Sequence, residues 1–172
     1  RTPEDLSALF APGAQISPED RRNHQIATRL SELGVPQHMD RWEGYPVARE
    51  RLLDAARQAD ADLVVLSGDS HNAWAYGLVE DGQPAGVEFA GQAVTSGGME
   101  GDLRGDPTAV ARGFVAANPE LKWANTHQRG YMMIDISRDR VTGEWLFLDT
   151  IKARSTRIAS THRMSVERGR RV

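Results

Sequence analysis

The segment that most constrains this chain is Asp62-Leu63-Val64-Val65-Leu66-Ser67-Gly68-Asp69. Four consecutive apolar residues ending in a small, glycine-containing turn predict a strand buried on both faces, central in its sheet. Further strands are expected at 86–90, 131–136 and 141–149. The last two are joined by Ser137-Arg138-Asp139-Arg140, a length suited to a hairpin. Ser17-Pro18 followed by two acids predicts a capped helix start, with Ile26, Leu30 and Leu33 at helical spacing and Gly34 as its stop. A second helix is expected from Pro46 to about residue 59, burying Ala48, Leu52, Leu53 and Ala56. A short third one follows Asp106-Pro107 and carries Val110, Phe114 and Val115. Helices that can cover strands give an α/β class, a mixed sheet flanked by helices.

Composition narrows the function classes. The chain has 172 residues, 40% hydrophobic and 26% charged, enough for one packed domain. The absence of cysteine excludes disulfide scaffolds, thiol nucleophiles and zinc–thiolate sites. No run approaches the ~20 apolar residues of a membrane-spanning helix. The chain begins at Arg1 with no charged-then-apolar leader, so no signal peptide is read in it and a processed or partial chain is expected. The sequence divides into an irregular lead-in and helix (1–37), a body (38–151) and a basic tail (152–172). The tail holds Lys152, Arg154, Arg157, Arg163, Arg168, Arg170 and Arg171 against Glu167 alone, a net +6 in a chain of net −3. It reads as a solvated terminal segment, with a polyanion-binding arm as the alternative. No aromatic interleaves these arginines, so nucleic-acid binding is not expected.

Chemistry is concentrated at Gly68-Asp69-Ser70-His71-Asn72, directly after the strand, where ligands collect in open α/β sheets. Asp69 and His71 can aim a carboxylate oxygen and an imidazole nitrogen at one metal or at two neighbouring ones. The bare pattern more often marks a capping aspartate and a hydrogen-bonded histidine. In Asp40-Arg41-Trp42-Glu43-Gly44-Tyr45-Pro46, either acid is a possible ligand and Tyr45 a possible donor. The structural reading is preferred: Trp42 and Tyr45 seal the core while Gly44 permits the turn. Thr95-Ser96-Gly97-Gly98 is a weak phosphate cradle, lacking the lysine of a P-loop. Asn118 and Asn125 offer oxygen ligands or turn caps, and Arg129 offers a bidentate anion contact or a surface ion pair. His24, His38, His127 and His162 have no comparable context.

Taken in order, several of these segments resemble the C-terminal half of the alkaline phosphatase D (PhoD-like) metallophosphatase family. The matching residues are Asp40 through Pro46 with Arg49, Leu52 and Leu53, then Val64 through His71 with Trp74, and Val87-Glu88-Phe89. Asn118-Pro119, Leu121-Lys122-Trp123, Arg129-Gly130-Tyr131 and Trp145 through Asp149 complete the series. The resemblance implies part of a two-sheet metallophosphatase sandwich that hydrolyses phosphomonoesters and phosphodiesters, is commonly exported, and uses metal ions, in some members iron with calcium. It places Asp69 and His71 on the family's GD-x-H metal motif, with Asn118 and Arg129 as phosphate or site support; it assigns no catalytic acid or base. The family's other metal motifs lie in its N-terminal half, and nothing here resembles them. Such a centre takes roughly six to eight protein ligands. The chain alone is therefore expected to be inactive, with the N-terminal half of the domain as its partner. The alternative is a degenerate, non-catalytic domain acting as a binding module.

Overall fold

The computed structural model describes residues 40–101 and 106–171, with positions 18, 22, 25, 26, 29, 30, 32, 33 and 35. The expected helix start at Ser17 and stop at Gly34 lie outside the described residues, as do His24 and His38. The described positions between 18 and 32 are helical. Ile26 and Leu33, expected to face a core, are 48% and 61% exposed.

Helix α1 spans Pro46–Gln58, opening on proline at its first turn, where a missing N–H costs nothing. It buries only Leu53, against Leu78 and Ala85. Leu52 and Ala48, expected inside, are exposed, because a single stripe of α1 meets the sheet. Arg49 on that helix pairs with Glu80 at 2.5 Å.

A four-stranded sheet holds β1 (Val64–Ser67), β2 (Ala73–Glu80), β3 (Gln83–Ala90) and β4 (Leu121–Asn125), in the order β1-β3-β2-β4. β1 runs parallel to β3 and the other pairs are antiparallel, so the sheet is mixed as expected. A second, three-stranded antiparallel sheet holds β5 (Gly130–Ile136), β6 (Arg140–Leu148) and β7 (Ile158–Glu167) in sequence order. The 137–140 hairpin forms, Ser137 N–H donating to Arg140 O at 2.9 Å. Between the sheets lies the main core: Ala73, Ala75, Val87, Phe89, Trp145, Phe147 and Val166. Trp145 is fully buried, meets Phe89 edge to face, and donates its Nε1–H to Ala90 O at 2.9 Å, tying one sheet to the other. Helix α2 (Pro107–Ala117), capped by the Asp106 carboxylate on Thr108 N–H, sets Phe114 edge-on against Trp74. Val110 is buried and Phe114 and Val115 partly so, as the spacing predicts.

Three expectations change. β1 is an edge strand, not a central one: its one partner among the described residues is β3, and Leu66 is 53% exposed. An apolar run records that a strand is to be covered, not that the covering element belongs to the same chain. Trp42 and Tyr45 do not seal the core; they are 50% and 54% exposed, one in the 3₁₀ turn Trp42–Gly44 and the other directly after it. The basic segment is not simply a solvated tail. Residues 158–167 form β7, with His162, Met164 and Val166 alternating inward and Arg163 facing out to pair with Glu144 at 3.0 Å.

Candidate functional site

The turn from β1 into β2 carries Asp69, Ser70 and His71 at the carboxyl end of the parallel strand. Asp69 and His71 both lie in the left-handed region, with φ of 64° and 60°, which few non-glycine residues adopt but aspartate and histidine enter more readily than most. Both side chains are exposed, while Asn72, next in sequence, is 1% exposed. The His71 ring approaches Gly97 O through Nδ1 at 2.7 Å. A carbonyl oxygen only accepts, so Nδ1 is the donor in this contact and Nε2 is the ring nitrogen left to meet a ligand.

The loop is held from beneath. Ser70 N–H donates to Gly68 O at 2.7 Å, and Trp74 Nε1–H donates to Ser70 Oγ at 2.7 Å. Asn72 spans two segments: its Nδ2 donates to Ser70 O at 2.6 Å, and its Oδ1 accepts from Met99 N–H at 3.2 Å. Arg129, 4% exposed, lies below, its Nη1 donating to His71 O at 3.1 Å and Gln128 O at 2.6 Å. Its Nη2 pairs with the Glu100 carboxylate. Burial pushes the Glu100 carboxyl up, but hydrogen bonds from its own and the Gly98 backbone N–H and from Arg129 outweigh this and hold it below the ordinary range.

The remaining candidates lie apart or serve the fold. Asn118 caps the end of α2, its Oδ1 accepting from Glu120 N–H at 3.1 Å. Strand register sets Leu121 opposite Tyr76 and Asn125 opposite Ala73, so Asn118 sits at the end of β2 away from Asp69 and His71. Asn125 accepts from the backbone of His127 and Gln128, the turn-capping arrangement. Asp40 and Tyr45 are exposed at the start of α1, and the Glu43 side chain lies outside the described residues. Thr95-Ser96-Gly97-Gly98 meets the His71 ring through a carbonyl, the opposite polarity to a phosphate cradle. Asn72 was visible in the motif without a role assigned, whereas Glu100 carried no sequence signal. Among the described residues no three His, Cys, Asp or Glu side chains come together as a metal site. What Asp69 and His71 offer a metal is an exposed carboxylate and a ring with one nitrogen engaged by a backbone carbonyl, the usual way a ligating imidazole is oriented.

The sequence model of the PhoD-like phosphatases matches residues 11–145. The chain belongs to the PhoD-like phosphatase family. It is similar to alkaline phosphatase D of Bacillus subtilis (strain 168), 34% identical over 105 residues that cover 58% of this chain. The solved structure described as "Structure of PhoD" superimposes with a TM-score of 0.54 over 76% of this chain at 19% identity, a likeness of fold. This PhoD-like chain spans 17% of the length of the Bacillus relative and 27% of that solved chain. The family is one of phosphoesterases, metal-dependent in general. Among the described residues no helix is long and apolar enough to cross a membrane.

Proposed function

We propose that this PhoD-like chain supplies one part of the active site of a metal-dependent phosphoesterase acting on phosphomonoesters or phosphodiesters, with Asp69 and His71 as metal ligands. The observation that carries this reading is the turn after β1: two potential ligands held in left-handed backbone, one with its ring proton committed to Gly97 O. A bound iron or calcium ion would polarise the phosphoryl oxygen and activate water for in-line attack. The Nε2 lone pair of His71 and the Asp69 carboxylate would hold that ion. Arg129 supports the site by bonding the His71 carbonyl, and Asn118, at the other end of β2, has the weaker claim. Two side chains cannot hold such an ion against water, so in this reading the other ligands come from the N-terminal half of the family's domain, whose metal motifs nothing in this sequence resembles, and the chain alone is inactive. By the same family reading the complete enzyme is exported.

Elemental analysis and a phosphodiesterase assay, run on the complete PhoD-like polypeptide carrying this sequence and on the chain alone, test the reading. Metal and activity are expected in the first and neither in the second. Asp69→Asn and His71→Ala are expected to lower activity by at least ~100-fold, more than the loss typical of a residue behind a ligand. Full activity in a folded, metal-replete Asp69→Asn protein would overturn the assignment. A complete polypeptide that takes up no iron or calcium would instead be a degenerate binding module.

A further inference from the structure

We infer that Glu100 and Arg129, working through Asn72 and Gly98, form a clamp that fixes the His71 ring and the Asp69–His71 loop in the orientation ligation requires. The inference rests on the metal-ligand reading of Asp69 and His71 and assigns to Glu100, Asn72 and Gly98 a positioning role that reading leaves open.

Asp69 and His71 share left-handed backbone with Asp60 and Asp81, which lie in exposed turns, but the Asp69–His71 loop is also held by hydrogen bonds from elsewhere in the chain. Here the constraints come from two separate segments. From the start of β5, Arg129 donates to His71 O at 3.1 Å, and Ala93 N–H also reaches that oxygen at 3.3 Å. From the loop after β3, Gly97 O takes the His71 Nδ1–H at 2.7 Å, and Met99 N–H holds Asn72, whose Nδ2 holds Ser70 O. Glu100 joins the two sides: one carboxylate oxygen accepts from Gly98 N–H at 3.3 Å and the other pairs with Arg129. Ser70 is therefore held by the Trp74 indole, His71 by Arg129 and Gly97 O, and Asn72 by the Met99 N–H. The Arg129 side chain is 3% exposed, and Glu100 is the carboxylate that pairs with it among the described residues.

Gly98 shows how closely the parts are fitted. A Cβ there would lie 2.2 Å from Arg129 Nη2 and 2.5 Å from Asn72 Oδ1. Both atoms are already committed in the clamp, so neither has room to retreat. The site needs glycine because a guanidinium and an amide meet against its backbone. Glu100 has one face in solvent, its side chain 34% exposed, so it can be altered without opening the core.

The chain itself permits a test independent of metal. In protein labelled with ¹⁵N-histidine, His71 is expected to carry its ring proton on Nδ1 in the wild type. Glu100→Gln and Gly98→Ala are expected to shift His71 toward the Nε2-protonated tautomer, while far-UV circular dichroism and thermal midpoint show each variant folded. A variant that fails to fold is replaced by Asn72→Asp, which keeps the shape but loses the donor to Ser70 O. In the complete PhoD-like polypeptide, Glu100→Gln is expected to weaken cobalt(II) binding, used as a spectroscopic probe, by about 10- to 100-fold. Unchanged tautomer and unchanged cobalt affinity in folded variants would overturn the clamp. If His71→Ala also leaves cobalt binding intact, the ligand assignment itself has failed; if His71→Ala abolishes binding and the clamp variants do not weaken it, only the clamp has failed.

Discussion

The His162 imidazole lies flat on the Trp123 indole, ring centroids 3.9 Å apart and planes 8° from parallel, joining β7 of one sheet to β4 of the other. Its Nε2 is buried with no hydrogen-bond partner among the described residues. Burial holds the ring below the ordinary histidine range, since a second ring proton would have no acceptor. A base depressed in the folded state is bound by protons more readily when unfolded. Its stabilising effect is complete above an unfolded value of about 6.5 and declines as pH falls from there toward the lower folded value. Urea denaturation at about pH 8 and about pH 5.5 is expected to show a loss of stability that His162→Phe reduces. An identical loss in both proteins would place the sensitivity elsewhere.

Trp145 is the side chain on which the two sheets close. Removing it takes out the contacts to Phe89 and Trp123 and the indole hydrogen bond to Ala90 O. Trp145→Ala is expected to destabilise by about 3–5 kcal/mol, enough to unfold a marginal domain. Trp145→Phe keeps much of the volume and is expected to cost about 1–3 kcal/mol, from the lost indole hydrogen bond and the smaller ring. Chemical denaturation of the three proteins measures both differences.

Gly130 follows Arg129 at the point where β5 meets the end of β6. A Cβ there would lie 1.9 Å from Leu146 O, a backbone atom that cannot swing aside. Gly130→Ala is expected to cost at least about 2 kcal/mol, within the range of overpacked sites. Because Leu148 N–H donates to Arg129 O at 2.8 Å, the shift would also displace Arg129. Thermal unfolding read beside the His71 tautomer would show stability and loop order falling together.

Leu66 stands half exposed on β1, whose outer edge has no partner among the described residues. Unpaired edges bearing apolar side chains template association between chains. Leu66→Lys is expected to reduce self-association in sedimentation or light scattering while leaving the thermal midpoint within a few degrees. Unchanged association would locate the sticky surface elsewhere, for example at Ile26 and Leu33.

What could be read from the sequence follows from where its signals are local. The Asp106-Pro107 cap and the 137–140 hairpin are written in neighbouring residues, and both form. β2 was not anticipated, because Asn72-Ala73-Trp74-Ala75-Tyr76-Gly77 mixes small and aromatic residues without β-branching, and its strand character comes from lying between β3 and β4. β4 is five residues with a lysine in it. β7 hides among arginines, serines and threonines because only its inward face is apolar. At the site, Asp69 and His71 stood out as a sequence pair, but Glu100 did not. A residue whose role is to neutralise an arginine far along the chain has no pattern until the fold brings the two together.

The strand order β1-β3-β2-β4 also sets an order of assembly. β1 cannot pair with its sequence neighbour β2; it must wait for β3, so Val64↔Val87 closes only after the β2–β3 hairpin offers an edge. Hairpins close in microseconds, whereas a parallel contact carries the entropy of the whole intervening loop. The Asp69–His71 turn lies inside that loop, and Arg129 arrives from still further along the chain. The Asp69–His71 turn is therefore set only when segments from residue 64 to residue 129 have met, and in refolding the His71 ring signal should track formation of the β1–β3 contact.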